Sequence, residues 1–234
     1  MNNRTPSVIV FDVNETLSDM SPLSGRFVEV GAPAHLARVW FATLLRDGFA
    51  LAAAGGTAKF SAIGSEVLRG VLRDVSLTRS LDDAVKHVMD GFDALSLHPD
   101  ISGGVRQLKS AGVRLVTLSN GSAQVAESLL TRAGLRSDFE VLLSVDDAPA
   151  WKPVRSAYVY AAEACEVQPS DLLLVAVHPW DVHGASQAGL RTAWLNRTDE
   201  IYPSFFAAPD HTISTLGELA AQLGHDPVGA AHEA

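Results

Sequence analysis

Five short apolar runs rich in β-branched residues recur along this chain of 234 residues, at 7–13, 113–118, 141–145, 172–177 and 191–195. Between them, residues 103–111, 122–133, 156–165 and 182–188 repeat their apolar positions three and four apart, a spacing that predicts helices. Strand, helix, strand in repetition predicts parallel βαβ units and an α/β fold, a doubly wound parallel sheet. Gly112, Gly134 and Gly189 each stand just past a predicted helix, where a left-handed terminating residue is favoured.

One stretch breaks this rhythm. From residue 18 to residue 99 no strand is predicted, and helical spacing dominates at 34–54, 58–73 and 81–95. The simpler reading is a pair of long excursions packed on the sheet. The favoured one is an inserted helical cap, residues 18–99, placed over the end of the first strand and returning to an α/β core made of residues 1–17 and 100–224. Such an insertion can exclude water and select substrates. Residues 225–234, small and polar, read as a frayed tail.

Composition narrows the classes. Hydrophobic residues at 47% and charged residues at 19% describe an ordinary globular chain rather than a disordered one. A formal net charge of −9 with no basic stripe argues against binding nucleic acid. Cys165 is the single cysteine, so no internal disulfide can form, and its helical setting predicts a buried, inert thiol. The polar start lacks a signal peptide's apolar run, and no stretch is long enough to span a bilayer. The expected location is therefore cytoplasmic, with no membrane partner.

The chemistry sits where predicted strands end. Val8-Ile9-Val10-Phe11 leads into Asp12, with Thr16 four residues later. Ligands of doubly wound sheets bind beyond the carboxyl ends of the strands, so Asp12 is placed to attack carbon or phosphorus; the plainer alternative is a turn or helix cap. A second strand ends at Ser119-Asn120-Gly121, where helix N–H groups can hold a carboxylate or phosphate, or Ser119 or Asn120 can simply cap the helix. Lys152, between Trp151 and Pro153, is either a solvated lysine or the ammonium that keeps Asp12 ionised. A fourth strand leads through His178 and Trp180 to Asp181, which can cap a helix, bind a metal or orient a hydrolytic water.

In this order the motifs resemble those of the haloacid dehalogenase-like superfamily. Phe11–Leu17 (residues 11–17) resembles its first motif, residues 118–122 its second, Lys152-Pro153 its third and Trp180-Asp181 its fourth. The nearest resemblance is to type II (L-2-haloacid) dehalogenases, through Leu-Ser-Asn-Gly-Ser, residues 142–146, Tyr158, Gly184-Ala185 and residues 189–197. The resemblance implies a hydrolase without a cofactor. Asp12 would displace halide from a short 2-haloacid and form an ester that water then cleaves. Thr16, Ser119 and Lys152 would orient Asp12 and the substrate carboxylate. Asn120, Phe60 and Trp180 would line the pocket the halide leaves through, and Tyr158 and Asp181 would support nucleophile and water. A homodimer joined through apolar cap faces is also implied.

The chain departs from that pattern at four positions. Phe41 stands where the dehalogenases carry a cap arginine, Asn14 where they carry a tyrosine, and Ala176 and His178 where they carry polar residues before the fourth-motif aspartate. Arg38 and Arg46 are the cations available to replace the missing arginine, and His178 beside Asp181 is a candidate base for the ester-cleaving water. Two other classes remain. A magnesium-dependent phosphatase would use Asp12, Asn14 and Asp181 as metal ligands, but Asn14 cannot serve as the general acid those enzymes carry there. A non-catalytic binding protein would require none of Asp12, Thr16, Ser119, Lys152 and Asp181 together.

Overall fold

The structure is a computed structural model and describes residues 6–224; the expected tail at 225–234 lies outside the described residues. Six strands form one parallel sheet in the order β3-β2-β1-β4-β5-β6: β1 (Val8–Phe11), β2 (Arg114–Ser119), β3 (Val141–Ser144), β4 (Leu172–Ala176), β5 (Arg191–Leu195) and β6 (His211–Ile213). β1 pairs with β2 on one side and β4 on the other, Phe11 lying opposite Thr117 and Val175. Both of its edges and both of its faces are covered, which is why its sequence is apolar without interruption rather than alternating.

Its residues still divide by face. Val8 and Val10 join the apolar cluster under α7 (Arg155–Ala164) and α8 (Pro179–Ala188). Ile9 and Phe11 join the cluster under α5 (Ile101–Ser110), α6 (Ala123–Arg132) and α9 (Leu216–Gly224). Helices on both faces make the sheet doubly wound, as expected. Because β2 lies to one side of β1 and β4 to the other, the crossovers reverse direction at the carboxyl end of β1. That reversal opens the crevice in which such sheets bind ligands.

The stretch without strands contains four helices: α1 (Leu23–Glu29), α2 (Leu36–Ala53), α3 (Phe60–Leu72) and α4 (Leu81–Asp93). Their inner faces bury Phe27, Trp40, Leu44, Leu68, Val88 and Phe92, and Gly64 lets α2 and α3 approach closely enough for the Trp40 indole to donate to its carbonyl at 2.9 Å. Ser80 caps α4 by accepting the Asp83 amide, with Asp82 and Asp83 favourably placed in its first turn. Two chain segments join these helices to the sheet, and they are tied to each other. Asp19 donates its amide to Ser96, His98 donates to Leu17, and Ser18 bridges Leu97.

Three elements were not foreseen. α1 is a single short amphipathic stretch, β6 has three residues of which only Ile213 is buried, and α9 lies against α5 beyond the last predicted strand. Predicted ends either match or shift by up to three residues, most at α8, which begins at Pro179 rather than Val182, because a proline suits the first helical position.

Candidate active site

At the carboxyl end of β1 the chain turns sharply, with Glu15 in the left-handed region at φ 62°. The turn brings the Thr16 hydroxyl back to the residue that ends the strand. Thr16 Oγ1 donates to Asp12 Oδ2 at 2.7 Å and accepts the Val177 amide at 3.1 Å, which anchors it to the end of β4. The other Asp12 oxygen accepts from Lys152 Nζ at 2.9 Å, and the same ammonium reaches Asp181 Oδ2 at 2.6 Å. Asp181 Oδ1 accepts from the Tyr158 hydroxyl at 2.6 Å. Asp12, Thr16, Lys152, Tyr158 and Asp181 are all buried, and all but Asp12 completely.

Burial alone would push the Asp12 carboxyl up; the charges of Lys152 and His178 and the hydrogen bonds from Lys152 and Thr16 outweigh it and hold the group below the ordinary carboxylate range. For Asp181 burial prevails, with the Asp12 charge adding to it, so Asp181 is raised. Lys152 is lowered by burial but raised further by its two carboxylates, and it stays an ammonium. One cation facing two carboxylates, with Thr16 and His178 on the Asp12 side, thus favours the charged form of Asp12.

Ser119 and Asn120 lie beside this group and work on the backbone. Ser119 Oγ accepts the Gly121 amide at 2.9 Å, which tightens the turn ahead of α6; it does not cap the helix, whose preceding residue is Ser122. Asn120 was expected to line the leaving-group pocket. Instead its oxygen accepts the Lys152 amide at 2.9 Å and its nitrogen donates to the Lys152 carbonyl at 3.2 Å, because a buried amide must satisfy both ends. It fixes the loop that delivers the lysine. Tyr158, expected with Asp181 in the set that supports the nucleophile and water, is fully buried behind Asp181 and donates to its carboxylate.

Above Asp12 the wall is aromatic. Phe41 of α2 packs on Phe60 at 6.5 Å and on the His178 ring at 6.2 Å, and Phe60 stacks on Phe92 at 5.2 Å and on Trp151 at 6.1 Å. His178 stacks on Trp180 at 5.0 Å, and Trp180 meets Phe49 edge-on at 4.8 Å. A cleft of about 240 Å³ runs past Phe60, Phe92, Ser122 and Asp146 between α3, α4 and the start of α6. Neither candidate arginine enters this wall. Arg46 is exposed and paired with Asp47, and Arg38 is exposed with its charge directed at Glu15.

His178 Nε2 is 3.2 Å from the Asn14 carbonyl, 3.7 Å from Asp12 Oδ2 and 3.6 Å from Glu15 Oε2. A carbonyl can only accept, so this nitrogen carries a hydrogen and cannot take a proton from water in this arrangement. The nearness of the ring helps hold the Asp12 carboxyl low. Ala176, the last residue of β4, is buried and offers no polar group.

The magnesium set foreseen in the sequence does not fit. Each oxygen of Asp12 and Asp181 already accepts a hydrogen bond from Lys152, Thr16 or Tyr158, and an ammonium lies between the carboxylates where a hard dication would need open oxygen ligands. Asn14 is buried against Gly121 and gives its carbonyl to His178. Among the described residues, no group of three or more His, Cys, Asp or Glu side chains could hold a metal ion.

Glu15, His98, Asp100 and Arg197 also bear on the site and were not singled out from the sequence. The one available signal was at Glu15, a bulky residue in a tight turn after a catalytic-type strand end.

A carboxylate kept ionised at the switch point of a doubly wound sheet, beneath a helical layer, defines an α/β hydrolase-type centre built around an aspartate. The chain belongs to the haloacid dehalogenase-like hydrolase family, whose model matches residues 6–189. An (S)-2-haloacid dehalogenase of Pseudomonas sp. (strain YL) is 30% identical over 211 residues, covering 89% of this chain and 90% of that protein. A haloacetate dehalogenase, H-2, of Moraxella sp. (strain B) is 35% identical over 121 residues, about half of each chain (52% and 54%). Among solved structures, a dehalogenase with an intermediate complex superposes with a TM-score of 0.87 at 28% identity, covering 93% of this chain and 97% of that one. The L-2-haloacid dehalogenase of Xanthobacter autotrophicus, with chloropropionic acid covalently bound, shares the fold (TM-score 0.85, 22% identity, 94% and 99% covered).

Proposed function

We propose that this protein hydrolyses short 2-haloacids to 2-hydroxyacids through an ester on Asp12. An Asp12 oxygen attacks the halogen-bearing carbon from the side opposite the halogen. The carbon–halogen bond breaks, halide leaves with the bonding electrons, and the substrate is joined to the carboxyl group. Water then adds to the aspartyl carbonyl, the ester bond breaks, the 2-hydroxyacid departs with its new hydroxyl, and one proton is released. The observation that carries this reading is the buried Lys152–Asp12–Thr16 contact, which holds an ionised carboxylate ready without a metal.

In this reading Lys152 and Thr16 orient the nucleophile, and Asp181 with Tyr158 hold the lysine. Ser119 and the amides beginning α6 receive the substrate carboxylate, and Asn120 secures the Lys152 loop. His178 supplies charge next to Asp12 and Glu15, while Asn14, Phe41, Phe60 and Trp180 enclose the reacting carbon and the departing halide. Helices α1–α4, residues 18–99, act as a cap that excludes water during the first step. We place the reaction in the cytoplasm, a reading supported by the buried free thiol of Cys165. A homodimer through the cap is supported by the exposed Val28 and Val39, and sedimentation velocity at micromolar concentration is its check.

The test is halide release from 2-chloro- and 2-bromopropionate, in chelator, by the wild type and Asp12→Asn. Release by the wild type alone is expected, with a loss of roughly a thousandfold or more in the variant. In heavy-oxygen water, a single turnover should place label in the Asp12 carboxyl group. Product without label would sink the ester pathway.

A further inference from the structure

We propose that Arg197 is a positioning residue, whose guanidinium, braced by Asp100, holds the left-handed turn at Glu15 and thereby aims the Thr16 hydroxyl at Asp12. Arg197 lies in the loop after β5, far along the chain from the turn, and its side chain is only 17% exposed. Its Nη2 donates to the Thr16 carbonyl at 3.0 Å and its Nη1 to the Glu15 carbonyl at 3.4 Å. Nε and Nη2 both reach Asp100 Oδ1 at 3.2 Å. Asp100 is itself fixed, accepting the Leu216 amide at 3.0 Å.

The arrangement has a physical purpose. A non-glycine residue at φ 62° persists only where its surroundings over-determine it. Here the Glu15 carbonyl accepts from two side chains, Arg197 and His98 Nε2 at 3.0 Å, while its amide donates to Ser18 Oγ at 3.3 Å. Released from these, the turn would relax toward negative φ and carry Thr16 with it. The hydroxyl would then lose its 2.7 Å contact to Asp12 Oδ2 and its hold on Val177. A planar fork of donors spans two successive carbonyls and a carboxylate, which a lysine ammonium cannot do.

The inference rests on Asp12 acting as the nucleophile, so it needs one measurement that depends on turnover and one that does not. For 2-chloropropionate, Arg197→Met should lower kcat about tenfold to a hundredfold with KM changed little, because a small misplacement of the attacking group costs rate rather than binding. Arg197→Lys, which keeps a charge beside Asp100, should fold like the wild type and show a smaller loss of the same kind. Thr16→Val should show a similar loss, and the Arg197→Met/Thr16→Val double variant should be no slower than the slower single variant. Independently, hydrogen exchange at the Leu17 and Ser18 amides, both bonded to the Val13 carbonyl, should quicken in Arg197→Met while β1 stays protected. Additive losses in the double variant would overturn the proposal, and so would unchanged exchange at those two amides. A wild type that releases no halide would defeat the dehalogenase reading alone; the exchange result would still decide whether Arg197 holds the turn.

Discussion

The Lys152 ammonium lies 2.9 Å from the Asp12 carboxylate, although 140 positions separate the two residues in the chain. Neither is exposed, and the lysine's second partner, Asp181, is equally buried. Three charges in a low-dielectric interior hold one another in place, and removing any one of them leaves the others uncompensated.

Lys152→Met removes the only cation between two buried carboxylates. The expected result is a loss of about 3–5 kcal/mol of stability, the usual consequence of stranding a buried charge, with no halide release at neutral pH. Denaturant unfolding of both proteins is the measurement. A variant within about 1 kcal/mol of the wild type would mean that the triad is solvated in solution.

The same triad sets a pH dependence. Asp12 is lowered in the folded protein, so its charge stabilises the fold above roughly pH 3.9, and this is lost as pH falls through the folded value. Asp181 is raised and takes up a proton more readily when folded, which opposes Asp12 on the acid side. Lys152 is raised, so its contribution is complete below roughly pH 10.4 and is lost as pH rises through the folded value. Melting temperature should therefore fall on the alkaline side in the wild type by more than in Lys152→Met. Parallel alkaline limbs would contradict the assignment.

His178→Asn removes a charge that lowers Asp12. The Asp12 carboxyl should rise, moving the acid limb of kcat/KM to higher pH by up to about one unit. An acid limb at the same pH in both proteins would show that the ring does not act on Asp12 through charge.

Gly48 of α2 faces the Trp151 ring, and a Cβ there would run into it. Trp151 adjoins Lys152, stacks on Phe60 and donates its indole N–H to the Ala58 carbonyl. Gly48→Ala should therefore force the helical layer away from the lysine loop at a cost of about 1–3 kcal/mol, as overpacked cores do. Thermal unfolding and halide release should both decline. An unchanged melt would mean that the two parts do not dock this way.

Much of the architecture was legible because it follows from local periodicity. The uninterrupted apolar run at Val8–Phe11 announced a strand covered on both faces, and the carboxylate after it announced the site. Lys152 and Asp181 were legible as motif members, as was the helical stretch between Asp12 and the second strand. α1 and β6 escaped because each is short, whereas α9 does carry a helical spacing in its buried Leu216, Leu219 and Leu223.

The order of residues by itself settled the strand-and-helix alternation and the identity of the four strand-end groups, since backbone geometry converts sequence spacing directly into faces and ends. Which groups touch was decided only by packing. Asn120 and Tyr158 turn to the lysine loop and to Asp181, Arg38 and Arg46 remain outside the aromatic wall, and Arg197 returns across the sheet to grip the turn after Asp12. Buried polar atoms must find partners wherever the fold brings them, and those partners lie 23 to 181 residues away, beyond the reach of any local pattern.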